Sequence, residues 1–245
     1  MQIPGYSLLT AKALQNPTIQ MSRVVVYLSD TVSGKLREDL MDDGFSSVWV
    51  ELSTPGANKK ILVSNMYRDH QWMNQGQDKS SKTDVAVMQR WLVFLDQWSR
   101  ALKSGAEVHA LGDFNINSNT LSINNGKQQQ HLVDKLLEHI VPLGASQCAP
   151  PNTWTPQGNQ RGQPSGLDHH WTNKPEKLSE VMALTMGHSD HKLITSVRYA
   201  DIVKIGQKFI RKIKTSSYQK FRISSGGMYT VPLMLMKLCE HSPRI

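Results

Sequence analysis

Two rhythms of apolar and polar positions run along the chain. Residues 46–52 (SSVWVEL) alternate with a period of two, as a half-buried strand does. Residues 23–28 (RVVVYL) form a compact β-branched run closed by the turn-like pair Ser29-Asp30. Residues 59–67 (KKILVSNMY) follow the alternating strand after Ser53-Thr54-Pro55-Gly56-Ala57-Asn58, a stretch of turn formers, so the pair predicts an antiparallel hairpin. A period of three to four then takes over at Val87, Met88, Trp91, Leu92, Leu95, Trp98, Ala101 and Leu102, predicting a helix with Thr83 or Asp84 as cap and Gly105 at its exit. Residues 107–111 (EVHAL) predict a short strand that runs into Gly112-Asp113-Phe114-Asn115. A second helix is expected over 129–140, stopped by Pro142. Residues 149–164, rich in Pro, Gly, Asn and Gln, are expected as a long surface loop, and 166–172 and 193–198 as the last strands. No internal repeat is visible. Hairpin strands mixed with strand–helix–strand crossovers predict an α/β protein with a mixed or largely antiparallel sheet.

Composition changes this picture little, but charge does. A chain of 245 residues with 39% hydrophobic and 20% charged positions can bury a sizeable core, which excludes a disulfide-stapled miniprotein. The net charge of +8 is unevenly placed: residues 1–203 carry 19 Lys plus Arg against 19 Asp plus Glu, so that part is neutral. The excess begins with Lys204, Lys208, Arg211, Lys212, Lys214, Lys220 and Arg222, a run without an acid that fits a polyanion partner or a solvated tail. This divides the chain into a domain over 1–200 and a basic C-terminal extension over 201–245, the latter ending in an apolar remnant. The two cysteines, Cys148 and Cys239, lack metal-site spacing and imply a reducing compartment. With no signal-peptide pattern and no apolar span, the expectation is an intracellular protein, nuclear or cytoplasmic, with no membrane association.

Three segments put polar groups at strand ends. In Gly112-Asp113-Phe114-Asn115, Asp113 and Asn115 are two apart, so in extended geometry both side chains leave one face. A carboxylate beside an amide suits phosphoryl chemistry, one group handling a proton or metal and the other an oxygen. The same tetrapeptide reads equally as a plain turn. In Gly187-His188-Ser189-Asp190-His191, Asp190 is a hard oxygen ligand for a divalent cation and His191 a donor to a phosphate oxygen, provided a bend brings them to one site. An isolated loop Asp-His pair is more often inert. In Ser165-Gly166-Leu167-Asp168-His169-His170-Trp171-Thr172, Asp168 can orient a histidine ring and fix its tautomer. His169 and His170, without a third ligand at metal spacing, are expected in structural or surface roles.

Taken in order, Ile3-Pro4-Gly5-Tyr6, the 23–28 strand, Asn65-Met66-Tyr67, Gly112 to Asn115, Ser165 to Asn173 and Ser189-Asp190-His191 resemble the endonuclease/exonuclease/phosphatase superfamily. The particular likeness is to the apurinic-endonuclease-like domain of non-LTR retrotransposons, over residues 1–199. The resemblance implies an α/β fold, a four-layer α/β/β/α sandwich of the DNase I-like type, with its site where strand-end loops of both sheets meet. It implies that Asp113 orients or deprotonates the attacking water, that Asn115 binds a phosphate oxygen or that water, and that Tyr67 contacts the scissile phosphate. It implies that Asp168 pairs with His191, that His191 stabilises the charge growing on phosphorus oxygens, and that Asp190 helps hold Mg²⁺, with Mn²⁺ as a substitute.

Relatives in this superfamily begin well before Ile-Pro-Gly-Tyr, with a strand and a helix region that carry an Asn and the Glu that is the principal metal ligand. The expectation is therefore an N-terminally truncated form lacking the first strand and helix, with its Mg²⁺ weakly held and its activity impaired. The leading expectation is a Mg²⁺-dependent endonuclease of a retrotransposon-derived protein, nicking DNA to leave a 3′-hydroxyl. The alternatives are a catalytically inactive nucleic-acid-binding remnant and a phosphatase or phospholipid phosphodiesterase of the same superfamily. DNA is the expected partner, and no protein partner is inferred.

Overall fold

The computed structural model of the chain describes residues 2–10, 24–42, 46–53, 60–68, 81–120, 127–157, 162–187, 189–199 and 231–233. The elements are β1 (Tyr6–Thr10), β2 (Val25–Ser29), β3 (Ser33–Leu36), β4 (Ser47–Ser53), β5 (Ile61–Tyr67), α1 (Ser81–Lys103), β6 (Glu107–Asp113), α2 (Lys127–Ile140), β7 (Ser146–Gln147), β8 (Asp168–Thr172), β9 (Leu178–Leu184), β10 (Leu193–Arg198) and β11 (Val231–Leu233).

A six-stranded sheet runs in the order β3-β4-β5-β6-β8-β7. β4 and β5 form the predicted antiparallel hairpin. β6 then pairs parallel to β5, because α1 returns the chain to the end where β5 began. β8 closes antiparallel on β6, so the sheet is mixed, as the crossover pattern predicts.

Alternation along each strand gives the sheet two different faces. One face turns Trp49, Leu62, Met66, Val108, Ala110 and Trp171 toward the helices, which contribute Trp91, Phe94, Leu95, Trp98, Leu132, Val133, Leu136 and Ile140 to the same buried cluster. The indole of Trp91 donates to the Leu132 carbonyl at 3.0 Å, tying α1 to α2. Leu92, counted on the apolar face of α1 from spacing, is instead exposed, at the margin of a stripe narrower than the pattern implies.

The opposite face carries Val48, Val50, Leu52, Ile61, Val63 and Leu111, which pack against Val24 and Val26 of the β1-β2 ribbon. Asn65 Nδ2 donates to the Val25 carbonyl at 3.2 Å across the same interface. Over β6 the contact between sheets becomes ionic: Arg198 of β10 reaches the buried Glu107 carboxylate through both Nε and a terminal nitrogen. β10 belongs to a second small sheet, β11-β10-β9. Helices, a six-stranded sheet and an overlying pair of small sheets make three of the four expected layers; a helical layer outside the small sheets is not among the described residues.

Two expectations change. The stretch 149–164 is not wholly a surface loop: Thr153 is completely buried, Lys192 N–H donates to its carbonyl at 2.7 Å, and Trp154 forms β-bridges to both Ser165 and His191. A buried backbone must find partners, and here the loop finds them on two neighbouring segments. The apolar remnant near the end contributes β11, paired antiparallel to β10 through Val197 and Pro232. Residues 204–222, the basic run, lie outside the described residues, as do His188 and Cys239. No helix among the described residues is long and apolar enough to cross a membrane.

Candidate active site at the strand ends

Strand register assembles the site. The parallel β5–β6 pairing sets Tyr67 opposite Asp113, and the antiparallel β6–β8 pairing sets Asp168 opposite Asp113. Tyr67, Asp113 and Asp168 therefore stand side by side on the inter-sheet face, each at the end of its strand. Both carboxylates are buried, with Asp113 only 2% and Asp168 5% exposed. Tyr67 is half-buried and packs against the inter-sheet cluster.

Each residue of Gly112-Asp113-Phe114-Asn115 has a distinct task. Gly112 sits at φ 137°, and a Cβ there would lie 1.9 Å from the Met66 carbonyl oxygen, so only glycine lets β6 approach β5 at this point. Phe114 is fully buried, edge-on to Trp91, Phe94 and Trp98, and anchors the turn in the helix-side core. The strand ends at Asp113, so Asp113 and Asn115 do not project from an extended chain as expected. Asn115 is left-handed at φ 48°, a region Asn tolerates, and its N–H donates to Asp113 Oδ1 at 2.9 Å. Its Nδ2 donates to the Arg68 carbonyl at 2.6 Å.

The 189–191 segment supplies the bend that the sequence required. Ser189 Oγ accepts the His191 N–H at 3.1 Å, turning the imidazole toward β8. His191 Nδ1 lies 2.7 Å from Asp168 Oδ2. An ionised carboxylate only accepts, so Nδ1 carries the hydrogen and Nε2 is directed away from Asp168. Asp113, Asp168 and His191 offer ligand atoms that all lie within 4.8 Å of one another. Asp190 stands outside that trio: its Oδ2 accepts the Trp154 indole N–H at 3.0 Å, and its carbonyl accepts the Thr155 N–H at 2.9 Å.

No family model matches the chain, and no curated protein matches it. Solved structures do. The chain is similar to the endonuclease domain of TRAS1, a telomere-specific non-LTR retrotransposon, at 16% identity over 78% of each chain with a TM-score of 0.51. An AP endonuclease from Archaeoglobus fulgidus aligns at 16% identity over 79% of each chain with a TM-score of 0.48. A 3′-5′ exonuclease, NExo, from Neisseria meningitidis aligns at 16% identity over 67% of this chain and 69% of that one, with a TM-score of 0.45. The chain has the endonuclease/exonuclease/phosphatase fold.

In this fold the trio sits where strand ends of the central sheet meet the loop before β10. Its donors suit a hard divalent cation, which takes carboxylate oxygens and keeps its remaining positions for water and phosphate. Two buried carboxylates this close also repel one another and favour a cation between them. Asp113 and Asp168 would hold such an ion.

Several residues that frame the site escaped the sequence. Thr153 Oγ1 accepts the Asp168 N–H at 2.8 Å, fixing the start of β8. His169, expected as structural or surface, is fully structural: its ring stacks on Phe114 at 4.4 Å, accepts the Trp171 indole N–H on Nδ1 at 3.0 Å, and donates from Nε2 to the Ile116 carbonyl at 2.7 Å. Burial pushes its pKa down to about 4, so the ring is neutral and clamps the turn. His170 is buried too and lowered to about 3, chiefly by burial and then by the neighbouring His109. Arg68, directly after Tyr67, is completely buried beside the turn. A charged residue at the end of an apolar strand was the one available signal for it; Thr153 and Trp154 gave none, since their partners lie in other segments.

Proposed function

We propose that the chain is a divalent-cation-dependent phosphodiester hydrolase that nicks DNA, using Mg²⁺ or Mn²⁺. The observation that carries this reading is the meeting of Asp113, Asp168 and His191 within 4.8 Å at aligned strand ends. Asp113 orients a water and takes its proton as the water oxygen bonds to phosphorus. The bond from phosphorus to the 3′-oxygen breaks, and that oxygen, once protonated, becomes a 3′-hydroxyl. His191, held by Asp168 through Nδ1 and carrying a second proton on Nε2, donates from Nε2 to a non-bridging phosphate oxygen and stabilises the charge that grows there. Asn115 spends one amide hydrogen on Arg68 and offers its second to a phosphate oxygen or the water. The Tyr67 hydroxyl donates to the same phosphate. A bound cation, held by Asp113 and Asp168 with Asp190 as the expected further ligand, would neutralise phosphate charge and acidify water.

The test is supercoiled-plasmid nicking across a Mg²⁺ titration, with wild type, Asp113→Ala and His191→Ala compared. The expected result is metal-dependent nicking that falls at least about 100-fold in either variant. DNA binding without nicking, unchanged in both variants, would favour the non-catalytic binding alternative. Hydrolysis of sphingomyelin or an inositol phosphate in place of DNA would move the substrate within the same chemistry.

A further inference from the structure

Arg68 buries a guanidinium completely, at a place where a cation has to be compensated. Three of its hydrogen bonds reach one turn. The Arg68 N–H donates to the Asp113 carbonyl at 2.9 Å, Nε donates to the Phe114 carbonyl, and a terminal nitrogen donates to the Asn115 carbonyl. In return, the Arg68 carbonyl accepts Asn115 Nδ2 at 2.6 Å. Three successive carbonyls of the Asp113–Asn115 turn are thus satisfied by one residue, and the side chain of the last is tied back to it. These bonds hold the left-handed backbone of Asn115 from both its carbonyl and its side chain.

We propose that Arg68 is the positioning residue of the Asp113–Asn115 turn, aiming the Asn115 amide and the Asp113 carboxylate at the water and phosphate while touching neither. This rests on the reading of that turn as the water-activating group. A planar fork spans two adjacent carbonyls at once, whereas the point charge of a lysine cannot. The guanidinium is also a fixed positive charge beside the turn, and its field adds a small part to what keeps His169 neutral.

The experiment is a double-mutant cycle on single-turnover nicking with Arg68→Lys, Asn115→Ala and the pair, alongside DNA affinity in EDTA and thermal midpoints. Arg68→Lys is expected to slow nicking by about 10- to 100-fold with DNA affinity within about twofold, since a small misplacement near the reacting atoms is enough. In the Asn115→Ala background the same change is expected to cost clearly less than in wild type, since only the part that runs through Asp113 remains. Multiplying effects would overturn the proposal, as would Arg68→Lys nicking at the wild-type rate. Hydrogen exchange of the Asn115 side-chain and backbone N–H groups, read by NMR, needs no activity. Protection that is lost in Arg68→Lys supports the positioning role, and protection that is unchanged overturns it. Wild-type protein that fails to nick while this protection is present and Arg68-dependent would sink the proposed function and leave the positioning role intact.

Discussion

Gly112 and Trp154 show how far single residues decide this site. A methyl group at Gly112 would meet the Met66 carbonyl oxygen at 1.9 Å and its carbon at 2.8 Å, all backbone atoms of the next strand, on a residue whose φ is 137°. Neither side can yield without breaking the β5–β6 pairing beside Asp113. Gly112→Ala is expected to cost roughly 3 kcal/mol or more, measurable as a lower urea midpoint. At Gly144, φ 85° with nothing near the added Cβ, the same change is expected to cost only about 1–2 kcal/mol, so equal losses at both positions would contradict the close-approach argument. Trp154 acts through one hydrogen bond to Asp190. Trp154→Phe removes that donor and little volume; the Mg²⁺ concentration for half-maximal nicking is expected to rise about tenfold. An unchanged requirement would mean that Asp190 has no part in holding the cation. Asp113, Asp168 and His191 were legible in the sequence because each ends or precedes a strand in a short polar motif. Trp154 and Thr153 were not, because their meaning lies in a register between segments far apart in the chain, and Arg68 showed only as a charge at the end of an apolar strand.

At the scale of elements, β6 works at both ends. Its C-terminal end presents Asp113; its N-terminal end buries Glu107, which is only 2% exposed. Arg198, Lys177 and His109 converge on this carboxylate, with Lys177 Nζ at 3.3 Å and His109 Nε2 at 3.0 Å. Burial alone would push the Glu107 carboxyl up, but the Arg198 hydrogen bonds and the His109 contact more than reverse it, and the group titrates far below the usual carboxylate range. A depressed folded pKa stabilises the fold above the unfolded value of 4.5 and is lost as pH falls below it. Glu107→Gln leaves the partly buried Arg198 without its charge partner and is expected to cost about 2–3 kcal/mol at pH 7, on the order of 5 °C in thermal midpoint. That deficit is expected to shrink between pH 4.5 and 2, as wild type loses what the variant lacks; a constant gap would show that Glu107 does not titrate with unfolding. The elements themselves were readable to different degrees. β4 and β5 are short apolar-rich runs buried on both faces, and α1 repeats every three to four residues, so their sequences announce them. β9 turns Met182 and Leu184 outward, and β3 has only four residues, two of them exposed, so neither carries a one-faced pattern.

For the whole molecule, the separation of charge from chemistry is the larger consequence. Residues 1–203 balance 19 basic against 19 acidic side chains, so a stretch of this composition has little net pull on a phosphate backbone. Without a bound cation the site supplies no such pull either, since Asp113 and Asp168 are carboxylates. If the chain acts on DNA as proposed, its hold on the polyanion is expected to come from Lys204, Lys208, Arg211, Lys212, Lys214, Lys220 and Arg222. Each basic group that neutralises a phosphate releases condensed counterions, which steepens the fall of affinity with salt by about 0.9 per contact on a log–log plot. Replacing all seven by Gln is expected to flatten that slope by up to about 6 and to weaken binding most at low salt, measured by fluorescence anisotropy on duplex DNA. The single-turnover nicking rate at saturating protein should stay near wild type, because none of the seven stands in the Asp113–Asp168–His191 group. A slope that does not change would assign DNA contact to the neutral body, and a lost saturating rate would make the basic run part of the chemistry rather than of the hold.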